Sequence, residues 1–311
     1  MLDVIFCGTP QFAVPTLERL VREGSRVRLV VTQPDRPSGR GMEMSISPVK
    51  RAAVQLGLPI TQPDKIRNNT EFRAQLETIT PEAIIVVGYG RIIPQWMIDL
   101  PPLGNINLHA SLLPKYRGAA PVQWAIAMGE EVTGVTTMRI DAGLDTGDIL
   151  LQSEERIQAD DTALTLAPRL AQSGAELMMA TLTGLKQGTL TPRPQEHARA
   201  TLAPILQRED GRIDFARSAT EAYNRMRGFQ PWPGAFTRFR GKTLQLHAAK
   251  PEANARVEAG RFSVEGDRLM LGFAQSTALE VLELQVEGKR RMAAPDFIHG
   301  YRPRGEEIVG T

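Results

Sequence analysis

Only one cysteine, Cys7, occurs in 311 residues, which excludes an intramolecular disulfide and any multi-cysteine metal site. Its neighbours Ile5 and Phe6 set it in an apolar strand, so a buried small side chain is expected there instead of a reactive thiol. Histidines number four; His197, His247 and His299 are scattered without ligand spacing, and no metal is expected. No run of about 18 apolar residues is present, which argues against a helical membrane span. Because Leu2 to Phe6 already reads as a strand, no secretory leader is expected and the location implied is cytoplasmic. Gly8 lacks the further glycines of a dinucleotide fingerprint, which argues against a nicotinamide or flavin site. Internal repeats and low-complexity segments are also missing.

What is present suits two soluble domains. The length exceeds that of one ordinary domain, and 42% hydrophobic with 23% charged residues is the composition of a chain that can bury a sizeable core. The net charge of +2 hides an asymmetry: residues 1–188 carry 18 Lys and Arg against 20 Asp and Glu, and residues 189–311 carry 19 against 15. The C-terminal third is therefore the basic part, as a polyanionic partner would require.

The first half alternates strand-like apolar runs (2–7, 27–32, 83–88, 105–110, 134–140) with helical periodicity (12–23, 48–56, 120–128). This pattern predicts an open, mostly parallel, Rossmann-like α/β sheet, with ligands at the carboxyl ends of its strands. A long helix from about Thr162 to Lys186, kinked near Pro168, ends a first domain at residues 1–188. Residues 189–206, with Pro192, Pro194 and Pro204, read as an extended linker. Residues 207–311 hold short strand candidates, 213–215, 237–240, 243–247 and 279–286, separated by glycines, which suggests a small barrel.

The segment from Gly104 to Leu150 carries the chemistry. In a strand, residues i and i+2 share a face, so Asn107 and His109 project together while Ile106 and Leu108 face the core. Gly143-Leu144-Asp145-Thr146-Gly147 follows downstream, with Asp145 as the candidate carboxylate and glycines that would allow a close approach to a flat ligand. Asp141 and Asp148 suit turn or surface roles better. An amide, an imidazole and a carboxylate together suit acyl transfer to an amine: Asn107 would donate to a developing oxyanion, His109 would move the proton, and Asp145 would orient His109 and stabilise its imidazolium.

Asn107-Leu108-His109, followed by Ser111-Leu112-Leu113-Pro114-Lys115-Tyr116-Arg117-Gly118 and then Gly143 to Gly147, resembles the signature of the folate-dependent formyltransferases. The resemblance covers nearly the whole chain, from Phe6-Cys7-Gly8-Thr9-Pro10 to Trp232-Pro233-Gly234-Ala235. It implies 10-formyltetrahydrofolate as co-substrate without a metal, and it sharpens the barrel to an OB-like one. It also implies a folate pocket floored by Ser111, Leu112, Leu113 and Pro114, with the pterin reached by backbone around Val87, Gly88, Tyr89, Gly90 and Ile92.

The core alone does not name the acceptor, since amino-sugar formyltransferases resemble it too and a formyl-folate hydrolase would use water. Two features favour an aminoacyl-tRNA, the initiator methionyl-tRNA, and the protein is expected to act as a monomer. The loop Gln33 to Gly41, polar and flexible with Arg36 and Arg40, matches the family loop that meets the acceptor stem, although Met42-Glu43-Met44 stands where relatives usually carry lysines. The basic module offers Arg225 with Arg227, Arg238 with Arg240 and Lys242, and the run Lys289-Arg290-Arg291. Alternation of Arg238, Arg240 and Lys242 along one strand face would make a phosphate-tracking stripe.

Overall fold

The computed structural model describes residues 2–38, 43–305 and 307–310. The chain divides into two compact units, one of residues 1–121, 132–156 and 167–203, the other of residues 122–131, 157–166 and 204–311.

The first unit is built on β1 (Asp3–Gly8), α1 (Val14–Arg22), β2 (Arg26–Val31), β3 (Arg36–Ser38), β4 (Glu43–Ser45), α2 (Pro48–Gln55), β5 (Ile60–Thr61), α3 (Thr70–Ile79), β6 (Ala83–Val87), α4 (Gln95–Ile98) and β7 (Asn105–His109). After α5 (Pro121–Ala127) come β8 (Val132–Arg139) and β9 (Ile149–Arg156), then α6 (Ala163–Gln187). Seven strands form one sheet in the order β5-β2-β1-β6-β7-β8-β9. The first five run parallel to one another, β8 pairs antiparallel with β7, and β9 antiparallel with β8. The chain moves outward from β1 through β2 to β5 and then returns to β6 on the other side of β1. The strand order therefore reverses at the carboxyl ends of β1 and β6, the place where such a reversal sets ligands.

Local chemistry accounts for the helix starts. Ser47 accepts the Lys50 amide at 3.0 Å ahead of Pro48 in α2, and Asn69 accepts the Phe72 amide at 2.9 Å ahead of α3, each satisfying an amide the helix itself leaves free. The continuous apolar runs of β1, β2 and β6 bury Ile5, Cys7, Leu29, Val31, Ile84 and Val86 against Phe72, Leu76 and Met97. This is the pattern of parallel strands covered on both faces. Burial pushes the Cys7 thiol well above its usual range, in line with an inert small core residue.

One expectation needs revision here. Residues 189–203 belong to the first unit and are stitched to it: Arg193 and Ile149 exchange two backbone hydrogen bonds of 2.8 Å, Leu202 bridges Arg117, and Ala203 is fully buried. The prolines there prevent helix without freeing the segment. The helix expected from about Thr162 to Lys186 is α6, 25 residues long with Pro168 inside it, and the division between units falls one residue before that proline, at Ala167. Strands β3 and β4 pair antiparallel, and ahead of them Gln33 and Asp35 are held by Gln62, on Gln33 O (2.8 Å) and Asp35 (2.9 Å), and by the Asp35–Lys50 ion pair.

The second unit adds α7 (Ala219–Gly228), β10 (Ala235–Phe239), β11 (Lys242–Glu252), β12 (Phe262–Glu265), β13 (Arg268–Phe273), β14 (Thr277–Val286), β15 (Met292–Ala293) and α8 (Ala294–Tyr301). The antiparallel order is β10-β11-β14-β13-β12, with β15 on β14. Its two edge strands β10 and β12 approach through side chains, the Phe239 and Phe262 rings lying 5.6 Å apart over Phe297. The C-terminal tail joins them: Val309 N donates to Gly260 O (2.7 Å) and Gly310 N to Arg238 O (2.8 Å). The strand edges are thus covered, as a barrel requires. Helix α5 packs in this unit as well, with the Trp124 indole donating to Pro204 O at 2.9 Å and its ring edge-on to Phe229.

Candidate active site

Strand β7 delivers the site. Its register sets Val86 of β6 beside Asn107 on one side and Thr136 of β8 beside His109 on the other. Ile106 and Leu108 are buried in the core. On the other face, Asn105 donates to Met97 O (2.8 Å) and Ile98 O (3.1 Å) at the end of α4, Asn107 is half-buried, and His109 is 6% exposed. Among the described residues no hydrogen bond occupies the Asn107 amide, so its donors are available to a ligand.

His109 is held from one side and faced from the other. Its Nε2 lies 2.8 Å from Tyr116 O; a carbonyl only accepts, so Nε2 carries the proton and the neutral ring keeps its lone pair on Nδ1. That Nδ1 lies 3.7 Å from Asp145 Oδ2, beyond hydrogen-bond length but close enough to attract an imidazolium. The ring is therefore oriented by Tyr116 O, whereas the sequence reading assigned that task to Asp145. Asp145 Oδ2 accepts the Gly118 amide at 2.8 Å, and its backbone sits at φ +50°, a left-handed conformation that Asp tolerates better than most residues.

The loop that carries Asp145 closes on itself. Asp141 accepts from Gly143 N (3.0 Å) and from Thr146 Oγ1 (2.7 Å), the turn role foreseen for it. A Cβ at Gly143 would stand 2.0 Å from Thr146 Oγ1 and one at Gly147 2.0 Å from Arg139 O. These glycines make room for the loop's own backbone and side chains. Gln195, absent from the sequence reading, is buried against this loop: its Nε2 donates to Asp145 O (2.9 Å) and Gly147 O (2.7 Å).

At the carboxyl ends of β1 and β6, Thr9 Oγ1 and Gln33 Nε2 both donate to Tyr89 O, at 3.2 and 2.9 Å. The side chains of Val87 and Tyr89 are buried, so these two residues can meet a ligand only through backbone, whereas Ile92 is 89% exposed; Gly88 and Gly90 both have positive φ. Of the pocket-floor residues, Ser111 is fully buried and donates to Lys115 O (2.6 Å). Leu113 is buried with Met138 and Ile149, while Leu112 and Pro114 are half-buried.

Two family models match in succession, formyl transferase over residues 2–182 and the formyl transferase C-terminal domain over residues 205–302. The chain belongs to the formyl transferase family. A methionyl-tRNA formyltransferase of Koribacter versatilis (strain Ellin345) is 66% identical over 307 residues, covering 99% of this chain and 98% of that one. That of Acidobacterium capsulatum is 63% identical over 311 residues, the full length of both. In fold, the chain is similar to an N-formyltransferase from Helicobacter canadensis solved with folinic acid and dTDP-3-aminofucose (TM-score 0.68, 18% identity, 90% of this chain and 99% of that one).

The cations expected to meet tRNA fare unequally in this formyl transferase. Arg36 is exposed on β3; Arg40 lies outside the described residues. Arg238, Arg240 and Lys242 do not alternate along one strand. Arg240 (φ +49°) and Gly241 (φ +72°) form the turn between β10 and β11, the left-handed pair that joins tight hairpins. Register then places Lys242 opposite buried Phe239, and Arg238 opposite Thr243, so the two cations lie on opposite faces of the hairpin. Arg240 is bound to both carboxylate oxygens of Glu307, at 2.7 and 2.9 Å. Arg291 pairs with Glu283, while Lys289 and Arg290 are exposed on the β14–β15 turn. Arg225 and Arg227 serve the interior: Arg225 stacks 4.9 Å from the Phe229 ring centre, Arg227 donates to Gln158 O and Asp161 O, and burial lowers the proton affinity of both guanidinium groups. Among the described residues there is no cluster of metal-ligating side chains and no helix long and apolar enough to cross a membrane.

Proposed function

We propose that the chain, acting as a cytoplasmic monomer, transfers the formyl group of 10-formyltetrahydrofolate to the α-amino group of initiator methionyl-tRNA, giving N-formylmethionyl-tRNA for translation initiation. The observation that carries this reading is full-length identity above 60% to relatives named for that reaction, on a chain whose Asn107, His109 and Asp145 have suitable geometry. Asn107, His109 and Asp145 are the reacting set in this reading. Ser111 to Pro114, with the backbone of Val87 to Gly90 and Ile92, border the folate, and Arg36, Arg40, Arg238, Lys242, Lys289 and Arg290 meet the tRNA.

The bound folate supplies the formyl carbon and a nitrogen leaving group. The protein's part is to stabilise charge and carry a proton. The Asn107 amide donates to an oxygen as it becomes negative, without titrating itself. His109 takes a proton from the attacking amine on Nδ1, while Nε2–H stays bound to Tyr116 O. The resulting imidazolium then faces the Asp145 carboxylate, which becomes a charge-assisted partner once Nδ1 is protonated. His109 returns that proton to the departing nitrogen, so one ring serves as base and then acid. The test is to incubate radiolabelled methionyl-tRNA with 10-formyltetrahydrofolate and the protein, alongside amino-sugar and water-only acceptors. Formylmethionyl-tRNA is the expected product; release of formate without it, or formylation of the amino sugar alone, would overturn the reading.

A further inference from the structure

Three consecutive residues, Tyr116, Arg117 and Gly118, connect the parts of the site. Tyr116 O holds His109 Nε2 and Gly118 N holds Asp145 Oδ2. The side chain between them, Arg117, is 7% exposed and points to a residue 78 positions away: its Nε and Nη2 donate to Gln195 Oε1 at 3.1 and 2.6 Å. Gln195, itself 6% exposed, uses the other end of its amide on Asp145 O and Gly147 O. Every heteroatom of that amide is engaged, so its orientation is determined: oxygen to the guanidinium, nitrogen to the two carbonyls. His197 Nδ1 completes the Arg117 shell at 3.2 Å from Nη2.

We propose that Gln195 and Arg117 are a positioning pair that sets Asp145 against His109, an inference that rests on the formyl-transfer reading above. The argument is one of separation. His109 rides on a strand at the centre of the sheet, whereas Asp145 rides on a loop at left-handed φ, and the 3.7 Å between them is too long for a direct hydrogen bond to hold. Some other structure must fix that distance, and the Arg117–Gln195–Asp145 chain joins the loop backbone to the same tripeptide that anchors the imidazole. A buried amide with all of its hydrogen bonds made has one geometry, which is what such a strut needs.

The test separates the two ends of the amide. Gln195→Met keeps the length and removes both; Gln195→Glu keeps the acceptor for Arg117 but aims a carboxylate oxygen at the carbonyls of Asp145 and Gly147. Displacement of a reacting group by 1 Å lowers rates by about 100-fold, so both variants should lose about 10- to 100-fold in kcat, with KM for folate and for tRNA changed less than about threefold. Placed in an Asp145→Asn background, either change should lower kcat by no more than about twofold further, because residues acting as a unit are non-additive. Wild-type kcat in both variants, a loss confined to KM, or a loss that multiplies in full with Asp145→Asn would each overturn the proposal. Should Gln195→Met not fold, Gln195→Glu alone decides on the same criteria. Nitrogen-15 NMR of His109 needs no substrate and so stands even if the acceptor is misassigned. Nε2 should stay protonated in all three proteins, because Tyr116 O holds it, while the ring-nitrogen shifts should move in both variants as Asp145 leaves its place; ring shifts unchanged in both would count against the strut.

Discussion

Asp145→Asn isolates a single property of the site. Asparagine retains an oxygen to accept the Gly118 amide, which Asp145 Oδ2 does at 2.8 Å, and tolerates the φ of +50° as well as aspartate does. Loop and fold should therefore survive with a melting temperature near that of the wild type. Only the negative charge facing His109 is lost. Unit charges about 4 Å apart near a protein surface attract by about 4 kcal/mol at an effective dielectric constant of about 20. The pair here is separated by 3.7 Å with side chains 6% and 16% exposed. Water at the Asp145 side reduces that figure, and at about 1.4 kcal/mol per tenfold in rate the expected loss in kcat is about 10²- to 10³-fold. The assay is the initial rate of methionyl-tRNA formylation with both substrates saturating, paired with a thermal melt. His109→Ala and the double variant complete the cycle, and the double variant should be little worse than the poorer single one. A kcat within about threefold of wild type at unchanged melting temperature would show that the imidazolium does not need this charge.

Asn107→Ala removes the donor without opening the core, so kcat should fall about 10²- to 10³-fold, the usual cost of one oxyanion donor; normal turnover would remove Asn107 from the mechanism. Lys289→Glu with Arg290→Glu, leaving Arg291 to its Glu283 partner, should raise KM for tRNA and flatten its salt dependence by nearly one logarithmic unit per lost phosphate contact. Folate KM serves as the control, and an unchanged salt slope would place the tRNA elsewhere. Arg227→Met should cost about 1.5–3 kcal/mol of stability by urea unfolding, the usual worth of hydrogen bonds made by a charged group, because it removes the guanidinium bonds to Gln158 O and Asp161 O. A loss below about 0.5 kcal/mol, the ordinary size of a surface change, would mean that solvent replaces the guanidinium.

How much of this was legible in the sequence depended on the distance over which each signal acts. Alternation at residues 105–109 placed Asn107 and His109 on one face, because a strand's side-chain period is a property of consecutive residues. Apolar runs located β1, β2, β6 and β7 to within a residue or two for the same reason. β12 and β13 escaped notice although their sequences are apolar enough; Val264 is 39% exposed and Gly272 interrupts the second, so neither run looks continuous. The supposed stripe Arg238-Arg240-Lys242 shows the opposite failure, in which a correct period was carried through a turn. Two positive φ values at Arg240 and Gly241 reverse the chain inside the pattern and send Lys242 to the other face. Gln195 had no signal at all. It lies in a proline-rich stretch that reads as connector, and its importance comes from four hydrogen bonds to residues about 50 to 80 positions away. Local pattern identifies which side chains a strand offers to a site; the contacts that hold two such offerings at a fixed separation are long-range, and here they converge on the tripeptide 116–118, where one displaced residue would disturb His109 and Asp145 together.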